Sequence, residues 1–455
     1  MSSAVFSAPE FVKITGGVWR GSPCPAQKLA ISTDTRTDNT GKIFFALRGE
    51  KFDAHDFLEQ AVNSGCSALC IEENKLSRAP ENIPVLLVNN TLIAMQQCAA
   101  FHRRRFPDLT VFGVTGSVGK TSVKEMLRAI CSYVAGAEHT LATIGNTNNQ
   151  IGVAQNLLSL TEKHRYAVIE AGTSSPGEIA PLSAMMQPTG AIINSIAPCH
   201  LENLIDLDGV AREKGCIYSA LLPGGTAVFP ADAAGKELLR TAAGSHPVKT
   251  FGLDSSCDVA ARFISGNLNG SSFELTFPGE QKYTVSWQLT GAHNALNAAG
   301  AAALAMASGI TPKDICAALP ATVLPGMRMK KTVVNGITFY NDAYNANPAS
   351  MKASIALLTA TALPGRLILL LGGMRELGKI STSAHSEVLN TAREQLPEAI
   401  IITIGKEFSG LSELHFDSAE DAGKYLQTLL QSGDTVFAKG SRGTAVEKAL
   451  PTEAR

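Results

Sequence analysis

Residues 111–123 read Val111-Phe-Gly-Val-Thr-Gly-Ser-Val-Gly-Lys-Thr-Ser-Val123. The apolar run up to Thr115 suits a buried strand, and Ser122 to Tyr133 has the apolar spacing of a helix. Between them lies the glycine-rich turn Gly116-Ser117-Val118-Gly119-Lys120-Thr121. Glycines let backbone N–H groups close around phosphate oxygens, and a helix N-terminus adds partial positive charge. Lys120 would reach the terminal phosphates, and the Thr121 hydroxyl would serve a magnesium ion. The longer eight-residue loop needs glycine at position 114, where this chain has Val114, so the motif is the short form GxxGKT. Its rival is a glycine-rich turn with an exposed lysine. The flanking strand and helix favour nucleotide binding by Gly116 through Ser122.

Working outward, strand-like and helix-like segments alternate: Thr110–Thr115, Val123–Tyr133, Tyr166–Ala171, Ala191–Ile196 and Thr226–Phe229. A strand followed by a helix, repeated, predicts a parallel sheet covered on both faces. Upstream, Ile43–Leu47, Ala68–Ile71 and Val85–Val88 with the amphipathic stretch Phe57–Ser64 suggest a small α/β unit, followed by a helix over Leu92–Arg105. Downstream of the break at Pro320–Gly326, Leu367–Leu371, Ile400–Ile404 and Thr435–Ala438 alternate with polar helical stretches. Val259–Leu289, with its turn signals, reads as a β-ribbon excursion from the middle unit. The expected fold is α/β in three domains. A small N-terminal α/β domain spans 1–89, a central P-loop-type parallel-sheet ATPase domain 90–323, and a C-terminal Rossmann-like domain 324–455.

Composition narrows the function. The 455 residues carry 39 Lys and Arg against 40 Asp and Glu, so phosphate recognition rests on local geometry and neither nucleic acid nor a polybasic membrane contact is expected. Nine cysteines, at 24, 66, 70, 98, 131, 199, 216, 257 and 316, form no CxxC pair. They read as small apolar residues of a reducing cytosol. No basic-then-apolar leader opens the chain, and its apolar runs are too short to span a bilayer. The expectation is a soluble cytoplasmic protein, and a monomer by default, since no heptad pattern stands out.

Ligands of such sheets gather at the carboxyl ends of the strands. Glu170 ends one strand and His200 follows another, and together they suit a divalent ion. Taken singly, Glu170 could cap a helix or pair with an arginine, and His200 reads first as a solvated loop residue. Lys214, in Ala211-Arg-Glu-Lys214-Gly-Cys, reads locally as an exposed helix lysine. Asn294 and Asn297 stand three apart at the start of an alanine-rich helix and could read a purine edge, or simply be polar residues on a packed helix.

Together these stretches resemble the Mur ligase family, ATP-dependent enzymes of peptidoglycan precursor assembly, over essentially the whole chain. The family's TGSxGKT loop corresponds to Thr115–Thr121, and its metal-binding Glu and His to Glu170 and His200. Its lysine, often carbamylated into a metal ligand in relatives, corresponds to Lys214. The adenine motif GxHNxxN corresponds to Gly291, His293, Asn294 and Asn297, and the nucleotide-contacting Arg and Asp of the last domain to Arg328 and Asp342. Lys120, Lys214 and His200 are thereby implied as catalytic.

Gly145-Asn146-Thr-Asn148-Asn149-Gln-Ile-Gly152, Tyr344-Asn345-Ala-Asn347-Pro-Ala-Ser-Met351 and Lys439-Gly-Ser-Arg442 resemble the branch joining D-alanyl-D-alanine to UDP-N-acetylmuramoyl-tripeptide. Asp-Asn-Pro-Arg, usual in the diaminopimelate-adding branch, is absent. Ser32, Thr33, Arg36, Arg48, Asp53 and His55 resemble the uridine-diphosphate-sugar site. The chain departs from the family at Ala54 (usually Gly), at Thr173-Ser174-Ser175 (commonly Ala-Asn-His) and at Gly373 (commonly Asp). The resemblance implies ATP and Mg2+, those two small-molecule substrates and an acyl-phosphate route. The alternatives are a Mur-type ligase adding diaminopimelate or lysine, and a P-loop NTPase that only couples hydrolysis to binding.

Overall fold

The computed structural model describes residues 4–21, 26–49, 52–363 and 365–455, and the chain folds as α/β in three sheet-containing domains. The first sheet holds β1 (Val5–Phe6), β2 (Val18–Arg20), β3 (Leu29–Ser32), β4 (Lys42–Phe45), β5 (Ala68–Glu72) and β6 (Val85–Val88), in the order β1-β3-β4-β5-β6-β2. Its four central strands are parallel, while β1 and β2 pair antiparallel at the edges.

The central sheet holds β7 (Thr110–Thr115), β8 (Thr140–Ala142), β9 (Tyr166–Glu170), β10 (Gly190–Ile193), β11 (Thr226–Pro230) and β12 (Val248–Gly252), then β13 (Val259–Asn267), β14 (Gly270–Phe277) and β15 (Gln281–Trp287). Their order is β15-β14-β13-β12-β11-β10-β7-β9-β8. From β7 the chain goes to one side, through β8 and β9, and then to the other at β10. The order therefore reverses at β7, and a crevice opens at the carboxyl ends of β7 and β10. The expected ribbon excursion is instead the edge of this sheet: β13 pairs parallel with β12, and β14 and β15 continue it antiparallel.

The last sheet holds β16 (Lys330–Val334), β17 (Ile337–Asn341), β18 (Leu367–Gly372), β19 (Ile400–Ile404), β20 (His415–Phe416) and β21 (Thr435–Lys439), in the order β16-β17-β21-β18-β19-β20. All its pairings are parallel except that of β16 with β17.

The strands form because their apolar runs are buried on both faces. Leu367–Gly372 and Thr435–Lys439 are buried at every position, as parallel strands under helices require. Helix Thr91–Arg103, capped by the Asn90 side chain, joins the first two domains. Its Ala94, Met95, Cys98 and Ala99 belong to one apolar core shared with Phe6, Phe45 and Leu86 on one side and Val111, Val153 and Leu182 on the other. The last domain packs two apolar clusters around its sheet, one of which also takes in Leu268 from the β13–β14 turn of the central domain. Eight cysteines are unpaired thiols, six of them buried; Cys24 lies outside the described residues. Among the described residues no helix is long and apolar enough to cross a membrane.

Candidate active site

The phosphate loop follows β7, and the helix Lys120–Ala135 begins at its end. Two glycines make the loop possible. A Cβ on Gly116 would lie 1.9 Å from Asn194 Oδ1, and Gly119 has φ +81° and would press a Cβ to 2.7 Å from Asn194 Nδ2 and Asn297 Oδ1. The loop is clamped from behind by the turn after β10. Ser117 N–H donates to the Ser195 carbonyl (2.9 Å), Val118 N–H donates to Ser195 Oγ (2.9 Å), and Asn194 Nδ2 donates to the Val118 carbonyl.

The N–H groups of Gly119, Lys120, Thr121 and Ser122 therefore stand at the open helix end, whereas those of Ser117 and Val118 are already spent. Lys120 Nζ folds back over the loop and donates to the carbonyls of Gly116 (2.7 Å) and Ser117 (3.4 Å).

Glu170 closes β9 directly beside this loop, in register with Val114. Its carboxylate accepts from Thr121 Oγ1 (3.0 Å) and from Asn148 Nδ2 (2.9 Å), and its own N–H donates to Thr143 Oγ1 (2.9 Å). Arg328, from the linker into the last domain, donates from Nη2 to Thr121 Oγ1 (3.1 Å) and lies 3.6 Å above the centre of the Tyr344 ring. Thr121, Asn148, Glu170, Arg328 and Tyr344 thus form one continuous cluster across two domains.

His200 enters from the loop after β10 with a left-handed backbone (φ +52°), and its Nδ1 contacts a carboxylate oxygen of Glu376 from the last domain. Burial lowers its pKa, Glu376 opposes this, and Lys214 and Lys120 lower it further, so the neutral imidazole is favoured. Lys214 lies on helix Leu207–Gly215. It is completely buried, and its Nζ has no hydrogen-bond partner among the described residues. Burial first, then the charge of Lys120, pushes it down to about 8, against Cys199 and Glu213. Lys214 is therefore a buried amine of the crevice, not the exposed helix lysine its local pattern suggests.

The adenine motif needs a similar revision. Asn294 and Asn297 are buried; Asn294 Nδ2 donates to the Thr290 carbonyl (2.8 Å), and Asn297 bonds both Asn294 and Asn194. Both amides are thus tied to one another and to Asn194, behind the phosphate loop. His293, exposed at the helix start, folds its ring over Gly291. Asp342 accepts from Lys439 Nζ and from Met329 N–H (3.2 Å), which fixes it beside the linker that carries Arg328.

The Mur ligase middle-domain model matches residues 114–305, and the Mur ligase glutamate ligase domain model matches residues 327–442. The UDP-N-acetylmuramoyl-tripeptide–D-alanyl-D-alanine ligases of Haemophilus influenzae and Escherichia coli are 36% and 37% identical to this chain over 436 and 432 residues. Each alignment covers 92% of this chain and 92% of the relative. The chain belongs to the Mur ligase family. A crystal structure of MurF from Acinetobacter baumannii superposes with a TM-score of 0.90 at 33% identity, over 99% of both chains. MurF from Thermotoga maritima, solved in complex with ADP, shares the fold with a TM-score of 0.79 at 24% identity, over 93% of this chain and 96% of its own.

The structure explains the points at which this Mur ligase departs from its family's motifs. Ala54 begins a short 3-10 turn without a left-handed backbone, so glycine is not required there. Thr173, Ser174 and Ser175 are held by Glu178, which accepts from the Thr173 hydroxyl and from both serine N–H groups, and by Asn203, which donates to the Ser174 carbonyl. Gly373 leaves room for Glu407: a Cβ there would lie 2.3 Å from Glu407 Oε2.

The remaining motif residues fall into two groups. Asn149 and Asn347 cap helices with their side chains, and His55 is buried between Asp53 (Nδ1, 2.6 Å) and the Glu72 N–H (Nε2, 3.1 Å). Burial works to raise the Asp53 pKa, but bonds from His55 and Lys75 hold it well below the usual carboxylate range. Arg36, Arg48, Asn146 and Asn345 are exposed and Ser32 is half-buried, while Thr33 Oγ1 accepts from Gln155 of the central domain (3.0 Å). Asn194, Ser195, Glu213 and Glu376 also shape the site. No motif marks them; only the pairing of β10 with β7 and the closeness of the last domain bring them in.

Proposed function

We propose that this chain uses ATP to join D-alanyl-D-alanine to UDP-N-acetylmuramoyl-tripeptide, forming the pentapeptide precursor of peptidoglycan. The single observation that carries the site is the bond from Arg328 to Thr121, which brings the last domain onto the phosphate loop. The near full-length likeness to ligases of that name supports the substrates.

The γ-phosphoryl group passes to an oxygen of the tripeptide's terminal carboxylate, and ADP leaves. The amine of D-alanyl-D-alanine attacks the acyl carbon, loses a proton, and the tetrahedral intermediate expels phosphate as the C–O bond breaks. A carboxylate is a poor electrophile, so catalysis here is positioning and charge neutralisation. Lys120 and the open N–H groups of Gly119–Ser122 hold phosphate, with Gly116, Ser117 and Val118 shaping the loop. Arg328 and Asp342 bring the last domain onto the nucleotide, and His293, backed by Asn294 and Asn297, borders the adenine.

Thr121, Glu170 and His200, with Lys214 once carbamylated, would hold Mg2+. The donor set fits. Among the described residues no three His, Cys, Asp or Glu side chains form a cage, and magnesium commonly takes one or two protein carboxylates and completes its shell with substrate phosphates. The unpartnered Lys214 Nζ is the group that a carbamate would satisfy. Bound there, the ion would supply charge neutralisation between two approaching anions.

In this reading residues 1–89 take the uridine-diphosphate sugar through Ser32, Thr33, Arg36, Arg48, Asp53 and His55, residues 90–323 take ATP, and residues 324–455 close over it. Asn146, Asn148, Asn149, Tyr344, Asn345 and Asn347 would face the peptide and the dipeptide. The reaction is assigned to the cytoplasm and to a single copy of the chain. Phosphate release should require both the UDP-tripeptide and D-alanyl-D-alanine. Equal release with diaminopimelate or lysine, or with no amine at all, would overturn the reading.

A further inference from the structure

His200 (φ +52°) and Glu376 (φ +63°) both bear a left-handed backbone where the central and last domains touch. Such conformations are costly away from glycine and persist where the surroundings hold them. Both belong to one contact, in which a carboxylate oxygen of Glu376 lies against His200 Nδ1, a buried nitrogen with no aligned hydrogen-bond partner among the described residues. The segment before Glu376 is tied to its own domain: Met374 N–H donates to His385 Nε2 (2.8 Å) and Arg375 N–H to Ser441 Oγ (3.0 Å). Just beyond it, Gly378 lies against Glu202, on the turn that follows His200. Glu376 therefore travels with the last domain, whereas His200 is fixed to the central sheet.

An imidazole that ligates a metal through one nitrogen usually donates its other N–H to a carboxylate or carbonyl, which sets the tautomer, the ring orientation and the basicity of the ligating nitrogen. We propose that Glu376 is the positioning residue for His200. It accepts the Nδ1–H and leaves Nε2 as the lone-pair donor, so the metal site is complete only when the last domain has closed. The inference rests on the reading of His200 as a metal-holding residue. It goes beyond that reading by adding a residue from another domain and by coupling closure to metal affinity. A half-exposed contact of this kind contributes little stability by itself; here its effect lies in what it does to the ring it holds.

Mn2+, followed by electron paramagnetic resonance, reports metal affinity in the full-length chain with ADP present. Glu376→Ala should weaken Mn2+ binding about tenfold, the usual scale for losing such a partner. Glu376→Gln, which keeps an acceptor oxygen, should retain most of the affinity. His200→Gln should weaken binding, and adding Glu376→Ala to it should weaken it no further. The proposal is overturned if Glu376→Ala binds Mn2+ like the parent while His200→Gln does not, or if the double variant loses the full tenfold again. Unchanged binding by His200→Gln would sink the metal reading of His200 itself, and this inference with it.

Discussion

An ammonium group in a dry interior without a partner destabilises the fold that holds it, and Lys214 is such a group. Its folded pKa is near 8 and its ordinary value 10.5. Between those values the unfolded chain binds the extra proton, so this residue makes stability rise as pH climbs from about 8 to about 10.5. Below about 8 it is charged in both states and its cost is constant. The same shift prepares it for chemistry, because only the neutral amine adds to carbon dioxide. The neutral fraction should grow from about one tenth at pH 7 to about nine tenths at pH 9. A carbamate carbon signal from 13C-bicarbonate should grow over that range and be missing in Lys214→Met. A signal that is flat with pH, or that survives in Lys214→Met, would count against it.

At this scale the sequence was informative where a residue type is rare in its setting, as with Lys120 in its glycine loop. It was silent where the environment does the work. Nothing in Ala211–Cys216 marks Lys214 as buried, and nothing around Asn194 announces a clamp, because both properties come from chain segments far away in the sequence.

Among the elements, the segment Thr173–Glu178 shows how a loop beside the site is kept in place. Buried Glu213 accepts N–H groups from Gly177 (2.7 Å), Glu178 (3.0 Å) and Ile179 (2.8 Å), at the start of helix Ile179–Met186. It is the neighbour of Lys214, so the loop and the amine share one support. Glu213→Ala leaves those donors unsatisfied and should cost about 2–3 kcal/mol in urea unfolding. Glu213→Gln should recover part of it, and an unchanged midpoint for the alanine variant would refute this account.

The element pattern was largely legible in the sequence: the strand, loop and helix around Lys120, the parallel strands of each domain and the long helix Thr91–Arg103 all form. The strand expected over Ala191–Ile196 stops at Ile193, because Asn194 and Ser195 turn away to grip the phosphate loop. The helix expected from Ser122 starts at Lys120 for the complementary reason, since its first turn is the floor of the same loop. The hairpin of β16 and β17 carries an Asn335-Gly336 turn, yet β16 has no buried position and β17 is buried only over its last three residues, a weaker signal than a fully buried run.

Over the whole molecule the separate loops converge because the last domain rests against the central one. Arg328 reaches Thr121, Glu376 reaches His200, and Lys331 Nζ donates to Asn269 Oδ1 on the β13–β14 turn (3.0 Å). With Arg328 read as a nucleotide contact, a guanidinium–phosphate bond would contribute about 2 kcal/mol, so Arg328→Ala should raise the KM for ATP at least tenfold. A KM equal to that of the parent in the phosphate-release assay would refute that role. Such convergence is the part least legible in a sequence, since motifs fix what each loop carries but not how far apart the loops sit.

The unbroken apolar core that runs from Phe6 through helix Thr91–Arg103 to Leu182 has a thermal consequence. Two sheets share one interior along that helix, while the third packs around clusters, one of which takes Leu268, on the β13–β14 turn, from the central domain. Scanning calorimetry should therefore record two melting events for three domains. A nucleotide that bridges the seam between the central and last domains should draw the two peaks together.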